Sequence, residues 1–372
     1  MKFSIDKTLL LENLLYVIKA ISPKNIIPIL NGIKFELNEK GLELTASDSE
    51  LTVKTLIPRE NIKNIEQEGI AVIQSKYIID IVRKMPSDII NVELLEDLKI
   101  KIYTDKNKYN LNCLNVLEYP KIDIELAENP INIKGNTLKQ IIKQTSFAVS
   151  TQESRPILTG VNFHIIGNIF ECIVTDSYRL AKKTININET VTEDINIVIP
   201  GKNLIEFDKV ISDDSNVAMH IFNNKIVFVY KNIIFQSNLL NGTYPDTTNL
   251  IPKDFKFILK LNLKDYYDSV DRASLLTQTK DKNTIKMFTT NNLLTVSSLS
   301  TELGKVEEYI NIEKNIDEDI EISYSSKYMM EALRTFEEEE ILILLNSDVK
   351  PIIIKNINDD NLIQLILPIK TY

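Results

Sequence analysis

Apolar positions along the chain switch between two periods, and they do so three times in the same order. Phe3 and Ile5 alternate with polar neighbours, and Leu10, Leu14, Val17, Ile18 and Ile21 then recur at helical spacing. This predicts a short half-buried strand running into an amphipathic helix. The pattern returns as Ile131 and Ile133 before Leu138, Ile141, Ile142 and Ala148, and again as Leu259 and Leu261 before Leu263, Tyr266, Tyr267, Val270 and Ala273. A second helical stripe follows in each stretch: Ile78, Ile81, Val82 and Met85, then Leu204, Ile205, Val210 and Ile211, then Met329, Ala332, Leu333 and Phe336. Ser75, Gly201 and Ser325 stand where the N-caps of these second helices are expected. The remaining apolar runs are short and β-like, broken at Asn38–Gly41, Asn223-Asn224 and Asn291-Asn292 as hairpins are. Each stretch therefore reads as two helices on about eight antiparallel strands, an α+β layer.

Local strings repeat with the pattern. Pro28-Ile29-Leu30-Asn31-Gly32 returns as Pro156-Ile157-Leu158-Thr159-Gly160, and Ser47-Asp48-Ser49 returns at the same shift as Thr175-Asp176-Ser177. A block ending in lysine recurs three times, at Lys76, Lys202 and Lys327. A period of 20 to 50 residues would indicate a solenoid; this one is the length of a domain. Three copies of one domain are expected, over residues 1–128, 129–252 and 253–372. The junctions lie near Glu128-Asn129-Pro130 and Ile251-Pro252-Lys253, where proline sits among polar residues.

With 44% hydrophobic residues in 372, each copy can bury an ordinary core. No run is long enough to span a bilayer, and Met1-Lys2-Phe3-Ser4-Ile5-Asp6 lacks the form of a signal peptide. Two cysteines, Cys113 and Cys172, fit a reducing compartment, so a cytoplasmic protein without membrane contact is expected. The net charge of −9 does not exclude a nucleic-acid partner, because a distant acidic rim is screened within about 8 Å at physiological salt. The predicted helices lean basic on their exposed side: Lys7, Lys19, Lys76, Arg83 and Lys84 in the first copy, Lys139, Lys143, Lys202 and Lys209 in the second, Lys264, Arg272, Lys327 and Arg334 in the third.

Catalytic chemistry is hard to find. His164 and His220 lie on predicted strands with no ligand partner at metal-binding spacing, and none of the nine glycines forms a phosphate-cradling loop. Asp176-Ser177 has a counterpart in Asp48-Ser49, as a duplicated turn would. No enzyme activity and no cofactor are expected.

The repeat plan, with Met1-Lys2-Phe3, Arg155 through Gly160, Thr175-Asp176-Ser177-Tyr178-Arg179-Leu180-Ala181, Tyr244-Pro245-Asp246 and Leu367-Pro368-Ile369-Lys370, resembles the bacterial DNA polymerase III β subunit family, the sliding clamps, over the whole chain. The resemblance implies three clamp-type domains making half of a ring, closed by a second copy head to tail around double-stranded DNA. Such a ring is held by linkage, so sequence-independent phosphate contacts suffice. Positions matching the family's DNA contacts are Lys24, Arg83, Gln152 and Lys202. Those matching the dimer joint are Tyr109 and Leu111 on one edge, and Leu275 and Leu276 on the other. A pocket between the second and third domains is implied for short peptides of the DNA polymerase III alpha subunit, the clamp loader, other polymerases and repair proteins. It matches Leu158, Thr175, Ser177, Tyr178, Arg179, Leu180, Pro245, Leu250, Tyr328, Val349, Pro368 and Ile369. Ser177-Tyr178 stands where relatives commonly carry Gly-His. By spacing alone, Tyr109, Leu111, Leu180 and Ile369 read as core. The alternative to a clamp is a monomeric three-domain peptide-binding adaptor.

Overall fold

The computed structural model describes residues 1–22, 27–96, 98–152, 154–277, 283–300 and 303–370. Lys24 lies outside them. The fold is α+β, and every strand pairing among the described residues is antiparallel. Strand Lys2–Asp6 runs into α1 (Lys7–Val17), Ile131–Lys134 into α3 (Gly135–Thr145) and Phe257–Asn262 into α5 (Leu263–Ser274). Phe3, Ile5, Leu10, Leu14 and Val17 are all buried, so the change of period marks a strand and a helix that share one core. Asp6 Oδ1 accepts from the amides of Thr8 (2.8 Å) and Leu9 (3.1 Å), and Asn262 Oδ1 from Asp265 N (3.0 Å); both satisfy helix-start donors that would otherwise be orphaned.

The second helices are α2 (Ser75–Lys84), α4 (Gly201–Asp208) and α6 (Ser326–Leu333). Only one expected cap holds. Ser325 accepts from Tyr328 N, whereas Ser75 and Gly201 are already helical, and Gln74 caps α2 without a side-chain bond. Gly201 answers to space instead: a Cβ there would lie 2.6 Å from Val149 Cγ1. Two expected surface cations are also engaged in packing. Half-buried Lys7 donates to Met85 O at the end of α2 (2.9 Å), and half-buried Lys19 reaches Glu206 (3.6 Å).

The chain forms two compact units, residues 1–137 with 206–239, and residues 138–205 with 240–372. In the first, a five-stranded sheet ends on Lys108–Asn112, and an eight-stranded sheet mixes two sequence repeats. Ile233–Asn238 of the second repeat pairs with Leu51–Pro58 of the first, Ile233 opposite Thr55 and Ser237 opposite Leu51. In the second unit, a seven-stranded sheet does the same: Arg179–Pro200 pairs with Leu362–Ile366 of the third repeat. A four-stranded sheet there ends on Gly304–Asn311. Phe207 packs on Phe228 and Phe235 in the first unit (centroids 4.4 and 4.9 Å). In the second, the Tyr266 and Tyr324 hydroxyls, wholly buried, satisfy each other at 2.7 Å.

The duplicated strings fold into duplicated turns. Asp48 Oδ1 accepts from Glu50 N (3.1 Å) and Leu51 N (2.8 Å), and Ser47 Oγ donates to Leu51 O (3.1 Å). Asp176 Oδ1 accepts from Tyr178 N (2.9 Å) and Arg179 N (3.0 Å), and Thr175 Oγ1 donates to Arg179 O (2.6 Å). The third residue is left-handed in both, with φ 77° at Ser49 and 78° at Ser177. Each turn then accepts from the end of the next repeat's last strand, Glu50 O from Asn238 N and Tyr178 O from Leu367 N, both at 2.9 Å.

Candidate functional site

The second turn borders a cavity of about 630 Å³ whose walls include Tyr178, Ser325, Tyr328, Leu367, Pro368 and Ile369, with Asn283, Lys327 and Lys370 also lining it. Three elements hold all of these side chains but Asn283, which precedes strand Thr284–Thr290. The turn presents Tyr178 outward; the start of α6 carries Lys327 and Tyr328; and the segment after Leu362–Ile366 is tied down by Leu367 N to Tyr178 O and by Ile369 N to Ser323 O (2.7 Å). The wall is mostly apolar, and the two lysines give it a cationic margin, a combination suited to an apolar peptide anchor set in a polar frame.

Beneath the wall, the Arg179 guanidinium is buried and every nitrogen is occupied. Nε donates to Asp176 Oδ2 (3.0 Å), Nη1 to Glu331 Oε2, and Nη2 to Phe147 O (2.7 Å). Its Cζ lies over the Tyr328 ring, 4.5 Å from the centroid, and over the Phe147 ring at 5.2 Å. Burial, with the Asp176 charge adding to it, raises the Tyr328 phenol above its ordinary value, so it stays neutral at physiological pH. Tyr244 is held up likewise by burial, and its hydroxyl accepts from Thr175 N at 2.9 Å.

The expected pocket residues thus separate into layers. Tyr178, Tyr328, Pro368 and Ile369 line the cavity. Leu158, Leu180 and Tyr244 belong to a buried cluster with Leu344, Ile353 and Leu365, where strands of the second and third repeats meet, and Thr175 and Arg179 are buried too. Ser177, Pro245, Leu250 and Val349 are exposed and are not among the lining residues. Lys327, read from sequence as part of a basic helix face, sits at the rim. Glu331, Phe147 and Asn283 carried no sequence signal, since Glu331 meets Arg179 from 152 positions away.

Of the expected DNA contacts, Arg83 and Gln152 are exposed, and Lys202 is exposed on the first turn of α4. Lys76, Lys202 and Lys327 each occupy the second position of a helix, where the macrodipole disfavours a cation. Tyr109 is 40% exposed on the edge strand Lys108–Asn112, and Leu111 is half-buried there. Leu275, 75% exposed, follows α5, which packs on the strands Leu293–Ser300 and Gly304–Asn311; Leu276 beside it is half-buried. That edge also exposes Leu299, Leu303 and Tyr309, which sequence reading passed over. Both histidines are accounted for: His164 Nε2 is 2.8 Å from Asp194 Oδ1, and His220 Nδ1 is 3.1 Å from Ala127 O. Among the described residues no cluster of three metal-ligating side chains occurs, and no helix is long and apolar enough to cross a membrane.

Three family models match the chain end to end: the N-terminal domain of the DNA polymerase III beta subunit over residues 1–123, its central domain over 132–246 and its C-terminal domain over 248–370. The chain belongs to the DNA polymerase III beta subunit family. It is 39% identical to the beta sliding clamps of Staphylococcus epidermidis and of Bacillus subtilis, covering each relative and itself completely. The crystal structure of the Bacillus subtilis DNA polymerase sliding clamp matches with a TM-score of 0.95 over both whole chains, and that of the DNA polymerase III beta chain from Streptococcus pneumoniae matches at 33% identity and 0.94, again over both. Beta-clamp membership accounts for the threefold repeat and the α+β layers, as expected from sequence.

Proposed function

We propose that two copies of this chain close head to tail into a ring around duplex DNA and act as a sliding clamp. The ring makes the replicative polymerase processive and has no catalytic site of its own. Residues 1–128, 129–252 and 253–372 are its three clamp domains. The observation that carries this reading is the end-to-end match of three beta-subunit domain models to one chain, together with two unpaired sheet edges. Lys108–Asn112 and Gly304–Asn311 each end a sheet and each carry one exposed tyrosine, Tyr109 and Tyr309; open edges of this kind invite pairing. Two different edges on one chain make a heterologous contact, which closes only when the rotation per copy divides the circle. The edge of one copy would take up the other edge of the second, with Tyr109 and Leu111 facing Leu275 and Leu276. Lys24, Arg83, Gln152 and Lys202 would contact phosphates.

The cavity beside Tyr178 and Tyr328 would dock short peptides of the polymerase alpha subunit, the clamp loader and other polymerases and repair proteins. Apolar anchors would enter the Pro368–Ile369 side. Light scattering on the wild type and on a Leu275→Asp, Leu276→Asp double variant tests the ring. A dimer that becomes a folded monomer is expected. A wild type already monomeric at micromolar concentration would instead favour the adaptor reading. Negative-stain images with an open centre would complete the case.

A further inference from the structure

The first repeat supplies a natural control for the second. Its turn, Ser47 through Leu51, makes the same hydrogen bonds as Thr175 through Arg179, yet it has Leu51 where the second has Arg179. An arginine is therefore not needed to form this turn. Nor is Glu331 needed to neutralise the arginine, because Asp176 already bonds Nε and the two carboxylates outnumber the one guanidinium. What Glu331 adds is direction. With Nε, Nη1 and Nη2 all engaged, the guanidinium is held in one place, and its Cζ lies over the Tyr328 ring, 4.5 Å from the centroid. Tyr328 and Glu331 lie one turn apart on α6, so one helix face brings both to Arg179.

We propose that Glu331, acting through Arg179, is a positioning residue for Tyr328, and that it sets how tightly the cavity grips an apolar peptide anchor. This rests on the peptide-docking reading given above. Glu331 touches the arginine, the arginine carries the ring, and the ring forms the wall. Loss of the carboxylate leaves the guanidinium held only through Nε by Asp176 and through Nη2 by the Phe147 carbonyl, so Nη1 can swing away from α6 and the ring samples positions that no longer shape the cavity.

The test is a double-mutant cycle read by fluorescence polarisation, using a labelled pentapeptide with Leu and Phe anchors and the full-length protein. Glu331→Ala is expected to weaken binding by about tenfold, and Tyr328→Ala by at least as much. In the Tyr328→Ala background, Glu331→Ala should change affinity by less than about twofold, because the ring through which it acts is gone. Glu331→Gln keeps the length and one acceptor. It should lose about threefold while melting close to the wild type, which separates positioning from a folding defect. If the two alanine effects multiply, or Glu331→Ala and Glu331→Gln bind normally while Tyr328→Ala does not, the positioning role is overturned and the pocket stands. If Tyr328→Ala itself binds normally, the pocket assignment falls, and this inference with it.

Discussion

Leu51 and Arg179 stand at the same place in two copies of one turn, each with its carbonyl accepting from the turn's first hydroxyl and its amide bonded to the turn's aspartate. One is a buried apolar residue of the core. The other has become a buried cation with two carboxylates, a carbonyl and two aromatic rings around it. Replacing Arg179 by leucine would restore the first repeat's solution in the wrong surroundings, leaving Asp176 and Glu331 without their cation. Breaking a fully buried pair costs about 3–5 kcal/mol. Glu331 keeps 29% of its side-chain exposure, so about 2–3 kcal/mol is expected after solvent screening. Thermal melting would show it, and Glu331→Leu added to Arg179→Leu should recover part of the loss.

The left-handed residue of each turn offers a stabilising change. Ser49 and Ser177 have φ near 78°, a region that costs an L-residue about 1–2 kcal/mol and glycine almost nothing. Ser177→Gly and Ser49→Gly should each raise stability by about 0.5 kcal/mol, net of the greater chain entropy glycine loses. The Ser177 gain is reduced by a weak bond from Arg155 Nη1 at 3.4 Å. A lower melting temperature for both variants would contradict this account of the strain.

Burial pushes the Cys113 thiol up to about 11, and Cys172 to about 12. Only the thiolate attacks, so at pH 8 about 0.1% of a thiol titrating at 11 is reactive, against about 10% for one titrating at 9. Labelling of Cys113 in the native protein, followed by peptide mass spectrometry, should therefore be on the order of a hundredfold slower than in urea at pH 8. Because the value is raised, reactivity should appear as pH climbs towards 11. Equal rates in the folded and unfolded chain at pH 8 would refute the burial.

Phosphate contacts by Arg83 and Lys202 would reveal themselves through salt. Each alanine substitution should weaken DNA binding about equally on any sequence, and should flatten the slope of log affinity against log salt by about 0.9. A change in sequence preference with an unchanged slope would place these residues elsewhere. The same measurement on Lys7→Ala provides the contrast, since its ammonium is taken up by the Met85 carbonyl and the slope should not move.

Much of this was legible in advance, and particular residues show where legibility stopped. Phe3, Ile5, Leu10 and Leu14 announce a strand and a helix because burial imposes its own period on whatever lies on one face. The repeated Asp48 and Asp176 announce a turn because the hydrogen bonds of such a turn are local. Arg179 was legible as a residue but not as a hub. Its orientation depends on Glu331 and Phe147, which come from other elements at distances no local pattern records. Lys7 reads as surface in the sequence for the same reason: the carbonyl it reaches is 78 positions away. Strand partners across repeats were equally hidden, because alternation tells which side of a strand is buried and says nothing of its neighbour.

That hidden pairing changes what a fragment of this protein can be. A cut at either sequence junction would separate Ile233–Asn238 from Leu51–Pro58, or Arg179–Pro200 from Leu362–Ile366. Each break runs through the hydrogen-bonded interior of a sheet and leaves a raw margin on both pieces. The period in which the sequence is inherited and the period in which it folds are therefore out of step. A single repeat is a legible word in the gene and half a sentence in the molecule.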